Sequence, residues 1–285
     1  MMEKAAQSAA DLVFLDLEDS VAPAEKVSAR ELCISALNEL DWGRKTRAVR
    51  INSVDSEYCL DDVLEVVARA ASNLDVIIVP KVKEARQVWF IEGLLDSLES
   101  RLTRTAPIML EVLIEEVEAL INVEAIAQSS RRLEALIFGP GDYSASQGVK
   151  TRAIGGASEY PGDIWHYARS RIVVAARAAR IEAVDGPFAD FNDASGYQRE
   201  CTRASILGFA GKWAIHPNQI ALANEVFSPS AEEIEEAETT TRAYEAAVAE
   251  GKGAVSVGGR LVDVATIRIF RNILDRAKSV RQGPM

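Results

Sequence analysis

The chain repeats one pattern seven times: a short apolar run, a polar or charged tip, then a helix-like stretch. The runs cover residues 12–17 (ending in Glu18-Asp19), 47–51 (holding Arg50), 76–79 (ending in Pro80-Lys81) and 108–114 (ending in Glu115-Glu116). They continue at 133–138 (running into Gly141-Asp142), 181–184 (ending in Asp185) and 212–215 (ending in His216-Pro217). Nearly continuous runs of Val, Ile and Leu mark strands buried on both faces, as in a parallel sheet. Such a sheet gathers its carboxyl-terminal strand ends on one face, so the seven tips converge on one site. The expectation is an α/β enzyme of the TIM-type (β/α)8 barrel class.

The connecting segments carry helical spacing. Ala29, Leu32, Cys33, Ala36, Leu37 and Leu40 fall on one helix face, and Leu60, Val63, Leu64 and Val67 repeat the pattern. Further helices are expected over 86–102, 117–127, 164–179 and 194–207. Seven strands are one short of a closed barrel. Residues 1–5 already read as the helix before the first run, so the absent strand would be the first, leaving two open edges.

Two places break the rhythm. Residues 139–160 read as a long glycine-containing loop, the kind that carries function at a catalytic face. Ser228-Pro229 divides a barrel domain (1–228) from a C-terminal extension (229–285). Ser230 and Glu233 form a capping box for a helix over 231–250. A Gly-rich stretch (251–260) and a last helix from about 262 to 277 follow. The extension is either a small second lobe or an arm that packs on a neighbouring subunit.

Composition narrows the chemistry. The length of 285 residues suits one barrel of roughly 250 residues with a modest extension. A net charge of −11 argues against nucleic acid as a partner, though local arginines can still bind a small anion. Nothing resembles a membrane span or a secretory signal, so a cytoplasmic protein is expected. The three scattered cysteines read as buried free thiols. With only His166 and His216, a His-rich zinc or iron site is implausible. Metal chemistry would have to use carboxylates, which favours Mg2+ or Mn2+.

Glu115 and Asp142 each stand just beyond an apolar strand. They suit a Mg2+ that keeps part of its water shell, or each simply caps the following helix. Arg50 lies inside an otherwise apolar strand. It either binds a carboxylate or enolate oxygen, or forms an ion pair with Glu18 or Asp19. Lys81 is a Schiff-base nucleophile or an ion-pair partner for nearby acids. His216 is a general base or a hydrogen-bonded corner, and Trp165 and Trp213 read as packing residues. Asp185-Gly186-Pro187-Phe188 forms a tight turn able to present backbone groups and a ring to a ligand.

Taken together, Leu15-Asp16-Leu17-Glu18-Asp19-Ser20-Val21, Val49-Arg50-Ile51-Asn52, Val79-Pro80-Lys81, Ile114-Glu115 and Gly141-Asp142-Tyr143 resemble the HpcH/HpaI aldolase and citrate lyase β-subunit superfamily. Within it, the second half is most similar to the malyl-CoA lyases (L-malyl-CoA/β-methylmalyl-CoA lyases). The segments that carry this are Trp165-His166-Tyr167-Ala168, Val184-Asp185-Gly186-Pro187-Phe188, Gly211-Lys212-Trp213-Ala214-Ile215-His216-Pro217 and Gly259-Arg260-Leu261-Val262-Asp263.

The resemblance implies a (β/α)8 barrel with a C-terminal extension, assembled as a homotrimer or homohexamer. It implies Mg2+ on Glu115 and Asp142, with Mn2+ as a substitute. It places Arg50 at the reacting carbonyl and carboxylate, and sends Asp263 into a neighbouring subunit's site as acid/base. Glu18, Asp19, Lys81, Asp185, Pro187, Phe188 and His216 would line or support the substrate and CoA site. The implied reaction is reversible carbon–carbon cleavage of a 3-hydroxyacyl-CoA, malyl-CoA or β-methylmalyl-CoA, to glyoxylate and acetyl-CoA or propionyl-CoA. A malyl-CoA thioesterase, or a non-catalytic CoA-binding or assembly relative, are the alternatives. The family's first strand, with its arginine and Pro-Gly turn, has no counterpart in this chain.

Overall fold

The structure, a computed structural model, describes residues 1–102, 106–150, 160 and 162–282. Among them, seven parallel strands form one sheet in sequence order: β1 (Leu12–Asp16), β2 (Thr46–Arg50), β3 (Val76–Val79), β4 (Met109–Ile114), β5 (Leu133–Phe138), β6 (Glu182–Asp185) and β7 (Gly211–Lys212). The helices are α1 (Met2–Ala6), α2 (Lys26–Glu39), α3 (Cys59–Ala70), α4 (Ala85–Glu99), α5 (Val117–Ile121), α6 (Val123–Ala127), α7 (Pro140–Gln147), α8 (His166–Ala179), α9 (Ala194–Leu207), α10 (Pro217–Phe227), α11 (Ala231–Ala249) and α12 (Val264–Gln282). By contacts the chain divides into two compact units, Met1–Asn224 and Glu225–Met285.

The sheet curls. Flat, its edge strands would stand roughly 29 Å apart at about 4.8 Å per spacing. Yet Phe14 on β1 and Trp213, just past β7, stack with ring centroids 4.4 Å apart. The concave face is filled by Ala48, Val76, Ile78, Leu113 and Ile137, with Leu12, Phe14, Met109, Val184 and Trp213 packed on them. Alternation along each strand sends Val49, Ile77, Val112 and Leu136, all fully buried, toward the helix layer. The same period-2 count carries the concave face from Leu12 and Phe14 to Asp16, from Ala48 to Arg50, and from Leu113 to Glu115.

Several boundaries differ from the sequence reading, each for a local reason. Residues 140–147 of the expected loop form α7 instead. Pro140 sits at its first turn, where proline is pre-set for a helix, and Gly148 closes it at φ 72°. The later part of that loop, 151–159, lies outside the described residues. The single helix expected over 117–127 breaks at Asn122 into α5 and α6. The last strand is only two residues long, and the run after it is irregular.

In the second unit, the capping box at Ser230 and Glu233 starts α11 as read. The Gly-rich stretch is a hairpin: Val255–Val257 pairs antiparallel with Arg260–Val262. Gly258 and Gly259, at φ 57° and 79°, make the two-residue turn. Val262 therefore ends a strand, and α12 begins at Val264. The cysteines are free and buried; burial pushes the Cys33 and Cys59 thiols up to about 12. Among the described residues no helix is long and apolar enough to cross a membrane.

Glu111 is a polar exception within β4, only 6% exposed. Burial first, and then repulsion from Glu134, pushes its pKa up to about 8, with no offsetting donor or cation among the described residues. A carboxyl raised in the folded state stabilises fully below its usual value near 4.5 and loses that contribution as pH rises through 8. Glu111→Gln is therefore expected to gain stability over the wild type as pH climbs from 5 to 9, by on the order of 3 kcal/mol at the alkaline end. Urea midpoints across that range check it; parallel pH profiles for the two proteins would refute it.

Candidate active site

The tips of the first three strands are joined by charge. Asp16 and Arg50 are direct partners in the β1–β2 register. Arg50 Nε and Nη2 donate to Asp16 Oδ1 and Oδ2 at 2.7 and 2.5 Å, a bidentate pair. Arg50 Nη1 lies 3.0 Å from Glu18 Oε2, and Lys81 Nζ lies 2.7 Å from Glu18 Oε1 and 3.0 Å from Asp19 Oδ1. Both Glu18 oxygens are buried, and beyond these two charge contacts neither meets a hydrogen-bond donor.

The strand-to-helix turn after β1 is held from below. Lys26, buried at the start of α2, donates to the carbonyls of Leu17 and Glu18 and to Asn52 Oδ1. Asn52 in turn donates to Asp62, which is paired with Arg30. This holds the buried Glu18 against Arg50 at the tip of β2, with the exposed Asp19 beside Lys81.

Lys81 has a left-handed backbone, φ 52°, the rarer conformation for a residue with a side chain. Such a residue costs on the order of 1–3 kcal/mol and persists only where its surroundings hold it. Here its backbone N–H donates to Glu115 Oε1 at 2.7 Å, while its side chain is held by Glu18 and Asp19. Burial works against the Lys81 ammonium, but the two carboxylates outweigh it and hold its pKa above the usual lysine value. The Schiff-base role is thereby disfavoured: that chemistry needs a lowered pKa.

Glu115, at the end of β4, is 2% exposed. Burial first pushes its pKa up to about 8; the Lys81 amide pulls the other way, and Asp142 and Glu18 raise it further. Asp142 lies in the first turn of α7, half-buried. The backbone leaves no slack: a Cβ on Gly139 would fall 2.5 Å from Glu115 Cβ and 2.6 Å from its Oε2. On Gly186, after β6, it would meet the Phe138 carbonyl at 2.1 Å and Pro140 Cδ at 2.3 Å. α7 is anchored by Trp165 Nε1, which donates to Ser144 Oγ, which donates to the Pro140 carbonyl.

The cluster thus sets five carboxylates (Asp16, Glu18, Asp19, Glu115 and Asp142) against two cations. Arg50 and Lys81 are engaged with the first three acids, so among the described residues Glu115 and Asp142 have no cation paired to them. Hard oxygen donors in this number suit Mg2+, which binds one or two carboxylates and keeps several waters. Among the described residues no three-ligand cluster of His, Cys, Asp or Glu exists, so any cation here would rely on water or substrate for its remaining positions. The residues present fit that ion, with Glu115 Oε2 facing the space that a Cβ at Gly139 would fill.

Other expected residues are not part of this cluster. Asp185 is fully buried and accepts from Arg169 at 3.0 Å and Lys212 at 2.6 Å, with Glu200 beside both cations. Burial opposes its ionisation, but Lys212 and Arg169 hold its pKa below the usual range. The Phe188 ring is buried against Tyr197, and Pro187 is half-buried. His216 is half-buried, stacks on Phe191 at 5.0 Å and accepts from the Asn218 N–H. Asp263 belongs to the second unit, where Oδ1 accepts from the N–H groups of Ala265 and Thr266 at the start of α12.

The sequence reading missed Asp16 as a site residue. Its signal was present: an acid at a strand end, on the same face as Phe14 and one strand from an arginine. It also missed Lys26, whose burial was invisible because its contacts are mostly to backbone carbonyls.

A curled parallel sheet with acids and an arginine at its carboxyl ends defines a carboxylate-based α/β enzyme site. The HpcH/HpaI aldolase/citrate lyase family matches residues 1–217, and the chain belongs to it. It is 44% identical over 290 residues to the L-malyl-CoA/β-methylmalyl-CoA lyase of Cereibacter sphaeroides, covering 98% of this chain and 91% of that one. The (3S)-malyl-CoA thioesterase of C. sphaeroides is 35% identical over 279 residues, covering 98% and 90%. Among solved structures, CitE of Mycobacterium tuberculosis in complex with magnesium, acetoacetate and coenzyme A superposes with a TM-score of 0.76 at 29% identity, covering 97% and 92%.

The tight seat of Glu115 gives a direct test. Gly139→Ala is expected to weaken MgCl2 binding by about tenfold or more, as supporting-residue changes at metal sites do. Calorimetric titration reads it, with circular dichroism to verify the fold; unchanged affinity would show that the contact does not position Glu115.

Proposed function

We propose that this protein is a Mg2+-dependent CoA-ester lyase that reversibly cleaves malyl-CoA or β-methylmalyl-CoA to glyoxylate and acetyl-CoA or propionyl-CoA. The observation that carries the reading is the uncompensated Glu115–Asp142 pair beside a paired Arg50. The likeness to malyl-CoA/β-methylmalyl-CoA lyases over nearly the whole chain supports it. The architecture that goes with it is a (β/α)8 barrel of which these seven strands are part, with a barrel domain at 1–228 and an extension at 229–285 packing on a neighbour in a homotrimer or homohexamer.

Cleavage breaks the bond between the carbinol carbon and the thioester α-carbon. The hydroxyl loses a proton as glyoxylate forms, and the electron pair goes to the α-carbon, which takes up a proton. Glu115 and Asp142 would hold the divalent cation, whose chemistry when bound is to polarise the hydroxy-acid half and neutralise its charge. Arg50, fixed by Asp16 and Glu18, keeps its guanidinium oriented toward the carboxylate and developing anion. Asp263, from a neighbouring subunit, exchanges the proton at the α-carbon. The Thr266 N–H first, with the Thr266 hydroxyl, holds its carboxyl below the usual range, so it is ionised at neutral pH and ready to act as base in the condensing direction. Glu18, Asp19, Lys81 and His216 border or support this mouth.

Purified protein with MgCl2, glyoxylate and acetyl-CoA or propionyl-CoA is expected to form the condensed CoA ester. Glu115→Gln or Asp142→Asn should lower this turnover at least about a thousandfold with the fold intact. Chelation should abolish activity and MgCl2 restore it. The thioesterase relative makes hydrolysis the second reading: release of free CoA from malyl-CoA with no glyoxylate would establish it instead. Folded protein inert in both assays would leave a non-catalytic CoA-binding relative.

The raised pKa of Glu115 sets a pH dependence. A proton competes with the cation for its carboxylate, so apparent MgCl2 affinity should climb with pH and level off above about 8. Titrations at pH 6, 7, 8 and 9 read this directly. Affinity independent of pH below 8 would remove Glu115 from the ligand set.

A further inference from the structure

We infer that Lys81 serves this site through its backbone: its left-handed peptide aims an N–H at Glu115, and the ion pairs of its side chain with Glu18 and Asp19 hold that peptide in place. The inference rests on the reading of Glu115 as a cation ligand and assigns Lys81 a positioning role that the cleavage chemistry does not require.

Three observations meet at this residue. The φ of 52° is one of only two positive values at non-glycine residues among those described, and the other, at Arg180, closes helix α8 as an ordinary terminator. The N–H made available by that backbone donates to Glu115 Oε1 at 2.7 Å, so the other oxygen is left for a ligand. The side chain reaches back to β1, where Glu18 Oε1 is buried with no donor except this ammonium. A residue strained at the backbone, anchored at the far end of its side chain, and bonded through its amide to a buried acid is a clip. Its amine is fully engaged with two carboxylates, and its amide is the working group.

Charge and conformation can be separated experimentally. Lys81→Gly and Lys81→Ala remove the same positive charge and the same anchor. Glycine adopts the left-handed backbone freely, whereas alanine resists it. If the ammonium acted only by its field, both variants would bind MgCl2 equally, and more tightly than the wild type. If the backbone positions Glu115, Lys81→Gly should bind MgCl2 roughly five- to thirtyfold more tightly than Lys81→Ala, the ratio set by the left-handed strain of alanine. Calorimetric titration of the metal-free proteins reads the affinities, and kcat should follow the same order while KM for the acyl-CoA stays within about twofold.

Where Lys81→Ala fails to fold, Lys81→Asn against Lys81→Leu asks the same question, since asparagine tolerates the left-handed region. Equal MgCl2 affinities within either pair, with a wild type that binds, overturn this inference alone. A wild type that does not bind MgCl2 overturns the functional reading and the inference with it.

Discussion

The structure turns on how positive charge is spent at the strand tips. Asp16, Arg50, Glu18, Lys81 and Asp19 form one run of ion pairs across β1, β2 and β3. Such pairs add little net stability when partly buried, because desolvation offsets the attraction. Removing a buried member such as Glu18 is another matter, at about 3–5 kcal/mol, since it strands the charge of Arg50. The run is therefore best understood as a spatial device. It fixes Arg50 and Lys81 on other acids, and the residual attraction of Arg50 does not offset the burial of Glu115.

A second buried network makes the contrast. Arg169 and Lys212 meet Asp185, Glu200 and Asp163 on the other side of the sheet. There the acids are satisfied, and the pKa of Asp185 falls. Glu115, equally buried at another strand tip, has its pKa driven up instead. Both carboxylates follow polar tips of apolar strands, and sequence position does not separate them. Charge balance does: the compensated acid locks β6 and β7 to α8 and α9, and the uncompensated one is left for a ligand.

That contrast explains how much of the protein was legible. The strand tips were readable because a parallel strand is a continuous apolar run with a sharp polar end, and Glu18, Arg50, Lys81, Glu115 and Asp142 did come together. Asp185 carried the same signature and turned inward, because its partners, Arg169 and Lys212, lie on a helix and on the next strand, beyond any local pattern. Residues 140–147 were misjudged for a different reason: Gly-Pro-Gly looks like a turn, yet proline at the first turn of a helix is a starting signal. The hairpin at Val255–Val262 was hidden because each of its strands is three residues long. The two glycines between them, read only as part of a Gly-rich stretch, make a turn with both φ values positive.

The same logic reaches the backbone. Three strand ends approach so closely that side chains have been removed or bent to permit it: Gly139 against Glu115, Gly186 against the Phe138 carbonyl and Pro140, and Lys81 in its left-handed turn. An acid on a flexible loop could relieve its own burial by swinging out to water. Glu115 cannot, since Gly139 packs on its Cβ, Lys81 holds one oxygen, and it directly follows Ile114, the last β4 residue in register with β5. A buried acid with no means of escape has two ways to shed its cost: take a proton, or accept a cation. The rigidity of these three strand ends is therefore what converts an unfavourable burial into binding capacity.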